Sequence, residues 1–497
     1  MTQNNTGHPR GLYTLFFTEM WERFSYYGMR ALLTLFLVAE LINNGFGMTR
    51  AEAFAIYGVF TGLVYVTPIF GGWLADKVLG QRKAIYIGAV IMAIGQFVMA
   101  YSVIASSDSR LFMLYSGLSL LIIGNGFFKP NISTIVGGLY EADDPRKDGG
   151  FTIFYMGINL GAFIAPLTAG YLGETYGWQY GFTTAGLGMV LGFIWFFFNQ
   201  KTLENVGMPP KADKNDHLLK VKDYIDVVIW SIGSIILSFA IVYFINAVSS
   251  TVLDYVIYII GAAAAAGIGY SIFTGTQGKT EWSRVSVIFI LAIFNIIFWS
   301  GFEQAGSTFN LFAADQTDRT VALFNDWVIP ASYFQAINAI AIFAIAPVFD
   351  IVWGKLTQIG KNPPTPLKFG FALLMLAAGF FVMSAAASSA EHGLVSPLWL
   401  VSVYLLHTLG ELMISPIGLS MITKLSPPKI VSIMMGIWMG SIAIGNYMAA
   451  AMEHIASIMG FEQGAPMFRF IAFEALIAGG IAIALAPIIK KMMKGVH

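Results

Sequence analysis

Fourteen apolar runs, each long enough for a helix to cross a bilayer, follow one another through this 497-residue chain. A helix needs about 20 residues to span the hydrocarbon core. With that ruler the runs lie near 12–40, 52–76, 84–105, 111–137, 150–173, 180–200, 223–246 and 253–275, then near 285–313, 327–356, 367–388, 396–423, 430–452 and 467–489. In lipid each backbone polar group must be paired inside the spanning structure, so runs of this length read as helices. Charged residues are 11% of the chain, against roughly a quarter in soluble domains. The fold class is therefore an all-α integral membrane protein. Zero net charge gives no sign of a nucleic acid partner, and the absence of cysteine excludes disulfides and thiolate metal sites. The first eleven residues are polar and no small-residue cleavage site follows the first run, which reads as an uncleaved span.

Basic residues fix the orientation. With both termini inside, cytoplasmic segments collect Lys77, Arg82 and Lys83, then Lys201, Lys211, Lys214, Lys220 and Lys222, and finally Lys490, Lys491 and Lys494. The external loops hold only Arg50, Arg110, Arg319 and Arg469. That bias obeys the positive-inside rule, and one missed span would scramble it. A repeat is also visible. "GGWLADKVLGQRK" follows the second span with Asp76 and Lys83, and "PVFDIVWGKLTQIGK" follows the eighth core span with Asp350 and Lys355. Setting aside 223–275 as an insertion leaves six plus six spans, the internal symmetry of transporters built from repeated halves. The expected organisation is an N-terminal six-helix bundle over 1–200, a linker and two inserted helices over 201–284, and a C-terminal six-helix bundle over 285–497. The inserted pair reads as lipid-facing and outside the mechanism.

The stretch "EMWERFSYYGMR", residues 19–30, places Glu19, Glu22, Arg23 and Arg30 inside the first span. Lys129 lies in the fourth, and Glu303 and Glu411 lie in the first and fourth core spans of the second half. Charges thus occupy the same two positions of each half. Each costs roughly 2.5–3.5 kcal/mol at a helix centre, and seven cost on the order of 20 kcal/mol unless they face one another or water. They must line a shared polar cavity. Glu19 and Arg30 differ by about 20° around the helix, so Glu19, Arg23, Tyr26 or Tyr27, and Arg30 form one stripe. Three bases and two acids in the first half, against two acids in the second, suit a small zwitterion. Its carboxylate would meet Arg23 and Lys129, and its ammonium Glu303 or Glu411. An amino acid, a short peptide and a zwitterionic drug fit this equally. An acid that alternates between pairing with Arg and losing it takes up and releases a proton, a task suited to Glu19 and Glu22.

Softer features carry bland alternatives. Pro130 beside Lys129 and Pro416 after Glu411 suggest bending at matched places. Tyr26, Tyr27, Tyr65, Trp299 and Trp438 could line a pocket, although most membrane aromatics pack or anchor. His407 reads as a satisfied structural residue. A membrane enzyme would need a catalytic pair or metal cluster such as HExxH, which the sequence lacks; a channel would need a continuous polar pore; a receptor-like sensor would lack the coupling acids.

The first motif resembles the ExxERFxxYG signature of the proton-dependent oligopeptide transporter family, a branch of the major facilitator superfamily. "GFFKPNIS", "FTIFYMGINLGAFIAP", "GFEQAGST" and "GELMISPIGLS" are similar to its other blocks, and the likeness runs from about Thr14 to the last span. The resemblance implies twelve core helices plus an inserted bacterial pair, and proton-driven import of di- and tripeptides, with peptide-like drugs as further cargo. It implies no enzyme activity, no cofactor beyond the proton as coupling ion, no metal and no obligate protein partner. It implies a place in the bacterial inner membrane. Carried over by motif, Glu19, Glu22 and Arg23 belong to proton coupling, with Arg23 also near the peptide carboxylate. Lys129 is the carboxylate-side lysine and Glu411 the amino-terminus acid. Tyr27, Asn159, Asn338 and Trp438 correspond to pocket positions. Arg30 with Glu303 is expected to close the external gate, and Lys129 with Glu411 could serve the inner one. The second-half copy of the loop motif is degenerate.

Overall fold

The computed structural model describes residues 7–141, 144, 146–210, 217–247, 250–322, 325–461 and 463–495, with the backbone alone at 246, 250–261, 416, 417 and 419. Nearly all of it is helix. The order is α1 Arg10–Val38, α2 Arg50–Leu74, α3 Gln81–Ile104, α4 Ser107–Gly138, α5 Lys147–Ala165, α6 Tyr171–Tyr176 and α7 Trp178–Asn199. Then come α8 Val221–Ala247, α9 Ser250–Gly275, α10 Gly278–Phe302, α11 Thr308–Gln316, α12 Ala336–Gln358, α13 Thr365–Ala390, α14 Leu398–Leu425, α15 Val431–Ile458 and α16 Ala465–Met492.

Among the described residues twelve helical segments are long and apolar enough to cross a membrane. The other two long helices are α1, of 29 residues, which carries the buried charge cluster, and α9, of 26 residues, of which Ala262–Gly275 is a shorter apolar helix. Some spans are composite. π-helical turns at Pro166–Gly170 and Ala75–Leu79 join α5 to α6 and extend α2, and a 3-10 turn at Glu303–Gly306 joins α10 to α11.

One boundary departs from the hydropathy ruler. The span expected from 327 starts later: β1, Thr320–Val321, pairs antiparallel with β2, Trp327–Val328, and a 3-10 turn over Ala331–Gln335 leads into α12. Asn325 and Asp326 both take positive φ, the conformation asparagine and aspartate tolerate best at a tight reversal. Apolar count alone cannot separate such a hairpin from the start of a helix.

The contacts divide the chain into two compact units, Met1–Met48 with Leu63–Phe244, and Thr49–Gly62 with Ile245–His497. This differs from the expected three-part division, since α8 falls in the first unit and α9 in the second. The division also passes through α2. Its first turns belong to the second unit because Gly58 lets the backbone approach α15, where an added Cβ would lie 2.4 Å from the Ala450 Cβ. Arg50 Nη2 donates to Asp315 Oδ2 at 2.8 Å and ties the same turns to α11.

Within the first unit, small residues set the distances between helices, as is usual where lipid supplies no hydrophobic drive. Gly157 and Gly161 face α1, and a Cβ at Gly161 would sit 2.3 Å from the Met20 carbonyl oxygen and 2.9 Å from the Arg23 Cβ. The α1–α5 crossing is therefore closest at the charged turn. α4 runs unbroken through Pro130, whose ring removes a helical hydrogen bond. At that level α2 comes close: a Cβ at Gly71 would lie 1.9 Å from the Gly126 carbonyl oxygen. The side chain of Pro416, the other matched proline, lies outside the described residues, and α14 also runs through its position.

Candidate functional site

In the first unit four of the five charges of α1 are buried, with exposures of 2% at Glu19, 0% at Glu22, 3% at Arg23 and 8% at Arg30, while Arg10 at its start is exposed. Arg23 Nε lies 3.1 Å from Glu19 Oε1 one turn earlier and also donates to Glu22 Oε2. One guanidinium is thus shared by two carboxylates. Glu22 Oε1 accepts a further bond from Asn125 Nδ2 at 3.2 Å across to α4. Among the described residues, Glu19 Oε2 and Arg23 Nη2 are both buried without a hydrogen-bond partner. Buried charge is tolerated only when paired, and Lys129 on α4 is a second cation close enough to act on Glu19.

Aromatic faces hold the cations of the same unit. Arg23 Cζ lies 5.2 Å from the Tyr26 ring centre, Arg30 Cζ 5.7 Å from that of Tyr27, and Lys129 Nζ 4.1 Å from that of Tyr65. These are cation–π distances, and a desolvated contact of this kind is worth about 2 kcal/mol. Tyr26 and Tyr27 pack edge to face with centroids 5.3 Å apart. Asn159, also buried, donates Nδ2 to the Tyr155 carbonyl of its own helix at 3.0 Å. The first unit therefore brings Glu19, Glu22, Arg23, Tyr26, Tyr27, Arg30, Tyr65 and Lys129 into a set of charge and ring contacts. Asn125 joins them, a residue that a search for charges passes over; its one signal is its place a helical turn before Lys129.

The second unit holds its acids differently. Glu411 on α14 is buried, and its Oε2 accepts from Asn338 Nδ2 on α12 at 2.8 Å. The same amide group lies 3.0 Å from Thr408 Oγ1. Glu303, 4% exposed, opens the 3-10 turn that ends α10. One turn earlier Trp299 donates Nε1 to Asn295 Oδ1 at 3.1 Å, and Asn295 Nδ2 reaches Ser441 Oγ at 2.8 Å. Trp299 is half-buried, whereas Trp438 is only 2% exposed and stands edge-on to Phe369 at 6.1 Å. Trp438 is thus enclosed by packing, with Gly418 against its ring. His407 is 3% exposed, lies 3.3 Å from the Leu376 carbonyl oxygen and is ringed by Phe309 and Phe380, the surroundings of a satisfied core residue. Each expected gating pair, Arg30 with Glu303 and Lys129 with Glu411, takes one member from each unit.

The motif residue Asp76 accepts from Gln81 Nε2 at 2.8 Å, and Lys83 pairs with two acids of α8. Among the described residues no group of three His, Cys, Asp or Glu could hold a metal ion.

Comparison with known proteins extends over the whole chain. A sequence model of the POT family matches residues 82–463. A peptide transporter of Yersinia enterocolitica is 37% identical over 98% of this chain and 96% of its own length. A di-/tripeptide transporter of Lactococcus lactis subsp. cremoris is 33% identical over 98% of this chain and 96% of its own. A solved POT family transporter in complex with a thioalcohol-conjugated peptide superposes with a TM-score of 0.82 at 32% identity, covering 98% of both chains.

Proposed function

The chain belongs to the POT family of membrane transporters, and from that premise we propose that it imports di- and tripeptides by symport with protons. The observation that carries the reading is the shared guanidinium of Arg23. Glu19 and Glu22 both lie on it, and among the described residues Glu19 Oε2 and Arg23 Nη2 have no hydrogen-bond partner. A peptide carboxylate arriving at Arg23 competes with the two acids, and the acid that loses its cation in a dry site takes a proton. Substrate and proton therefore enter together. Lys129, poised over Tyr65, is the second cation for the carboxylate, and Glu411, oriented by Asn338, receives the ammonium. Charge-assisted bonds at both peptide ends give affinity that ignores the side chains between them. Relatives named as peptide and di-/tripeptide transporters support this cargo.

Alternating access follows from repeated halves around a midplane site. Arg30 with Glu303 closes the outer side, and Lys129 with Glu411 the inner. The protein resides in a bacterial inner membrane with both termini in the cytoplasm, the orientation favoured by its basic segments. The membrane potential adds about 2.3 kcal/mol per proton for each 100 mV, so inward proton flow suffices as the drive. The test is uptake of labelled dialanine into liposomes containing the purified protein, with and without an inward proton gradient. Accumulation above equilibrium only with the gradient is expected. No dialanine uptake under either condition would discard the peptide reading.

A further inference from the structure

The motif residues Asp76 and Lys83 flank the junction of α2 and α3, Asp76 on the π-helical turn that extends α2 and Lys83 in the first turn of α3, and the proposed transport cycle uses neither. The surroundings of the junction are unusual. After the π-helical turn Ala75–Leu79 the chain passes Gly80 at φ 79°, where a Cβ would lie 2.6 Å from the Pro209 Cα. Glycine is required there by both conformation and space. Arg82 follows with 0% exposure, and its guanidinium is spent on backbone carbonyls. Nε donates to Val206 at 2.7 Å, Nη1 to His217 at 2.8 Å and Nη2 to Glu204 at 2.5 Å, while its own amide donates to Gly207 at 2.9 Å. Those acceptors lie in the linker that leads from α7 to α8.

The next residue grips α8 itself. Lys83, whose side chain is 6% exposed, places Nζ 2.9 Å from Asp226 Oδ2 and 3.3 Å from Asp223 Oδ1. Between those acids Tyr224 packs on Tyr86 and Phe197 and accepts from Gln200 Nε2 at 2.7 Å. Farther along, Phe239 meets Phe112. A helix that only filled lipid space would need the apolar contacts alone. Two carboxylates closing on one nearly buried lysine are an added, costly device.

We infer that α8 is a positioning element of the transporter, bound through Arg82 and Lys83 so that the α2–α3 junction, residues 204–210 and α8 move as one piece. Asp223 and Asp226 keep the Lys83 ammonium occupied and so fix the junction's resting geometry. The inference rests on the transport reading, but its test does not depend on it alone. Asp223→Asn with Asp226→Asn, Lys83→Met, and the exchanged pair Lys83→Asp with Asp226→Lys would be purified and put into liposomes. Hydrogen exchange would be followed over 75–83 and 204–210.

The expected result is a maximal dialanine uptake rate lower by about fivefold or more in the first two variants, with KM and melting temperature little changed. The exchanged pair would restore the rate, and amide exchange in both segments would quicken together in the first two variants. Wild-type rates in all variants, or rates that fall only in step with melting temperature, would overturn the inference. So would faster exchange confined to α8. If the unaltered protein takes up no dialanine, the transport reading fails, and coupled or uncoupled exchange of the two segments still decides whether they form one piece.

Discussion

Glu22 and Glu411 are both buried acids on long membrane helices, and within its own unit each is held by a different neighbour. Glu22 sits against a guanidinium that it shares with Glu19, while Glu411 is steered by the neutral amide of Asn338. A carboxylate on a shared cation has its charge already answered, and changes state when a competitor takes that cation. A carboxylate that accepts from an amide is given a set orientation by that bond, here toward α12. In the proposed cycle the first arrangement would serve as the switch and the second as the receptor for the substrate ammonium.

The largest effect should come from breaking the switch. Glu22→Gln removes an acid while keeping its shape, and gradient-driven accumulation should fall to the level seen without a gradient. Exchange of internal for external peptide, which needs no net proton flow, should survive. Accumulation that persists in this variant would show that the two acids do not divide into switch and receptor. A smaller change should follow Asn338→Ala. A hydrogen bond to a charged group is worth about 1.5–3 kcal/mol, so KM for dialanine should rise about tenfold or more while the response to the gradient is kept. Loss of the gradient response here would merge the two classes of acid.

The smallest effect belongs to the same chemistry in water. Asp144 lies between α4 and α5, bonded to the Arg146 side chain at 2.7 Å and to its amide at 2.8 Å. Those bonds hold its carboxyl down at about 2. A depressed carboxyl stabilises the fold above its ordinary range near 4 and loses that contribution as pH falls toward 2. Asp144→Asn should therefore lower the melting temperature slightly at neutral pH, and the gap from wild type should close on acidification. A gap that widened in acid would contradict the sign.

How much of this is legible in the sequence follows from what is conspicuous in a membrane. Ionisable residues interrupt apolar runs, so Glu19, Glu22, Arg23, Arg30, Lys129, Glu303 and Glu411 stand out from the residue order alone. Their neutral partners do not. Asn125 draws no notice, and Asn338 is singled out by family resemblance alone, because an amide costs too little in a span to mark its place. The partner of Lys83 is also hidden: Asp226 lies 143 residues away along the chain, and nothing local marks the pair. The short hairpin at 320–328 escapes because an apolar tally has no term for backbone direction.

The division of the inserted pair between the units bears on how such a chain could gain or lose helices. Excising 221–275 would not lift out a finished module. It would strip Lys83, Tyr86 and Phe112 of their partners on α8, leaving an ammonium and two rings facing whatever replaced them. A shorter descendant would have to trade Lys83 for an apolar residue and resurface α3 and α4 before the deletion became tolerable. The faces of α3 and α4 are thus shaped to the helix laid on them, and α8 is no detachable ornament.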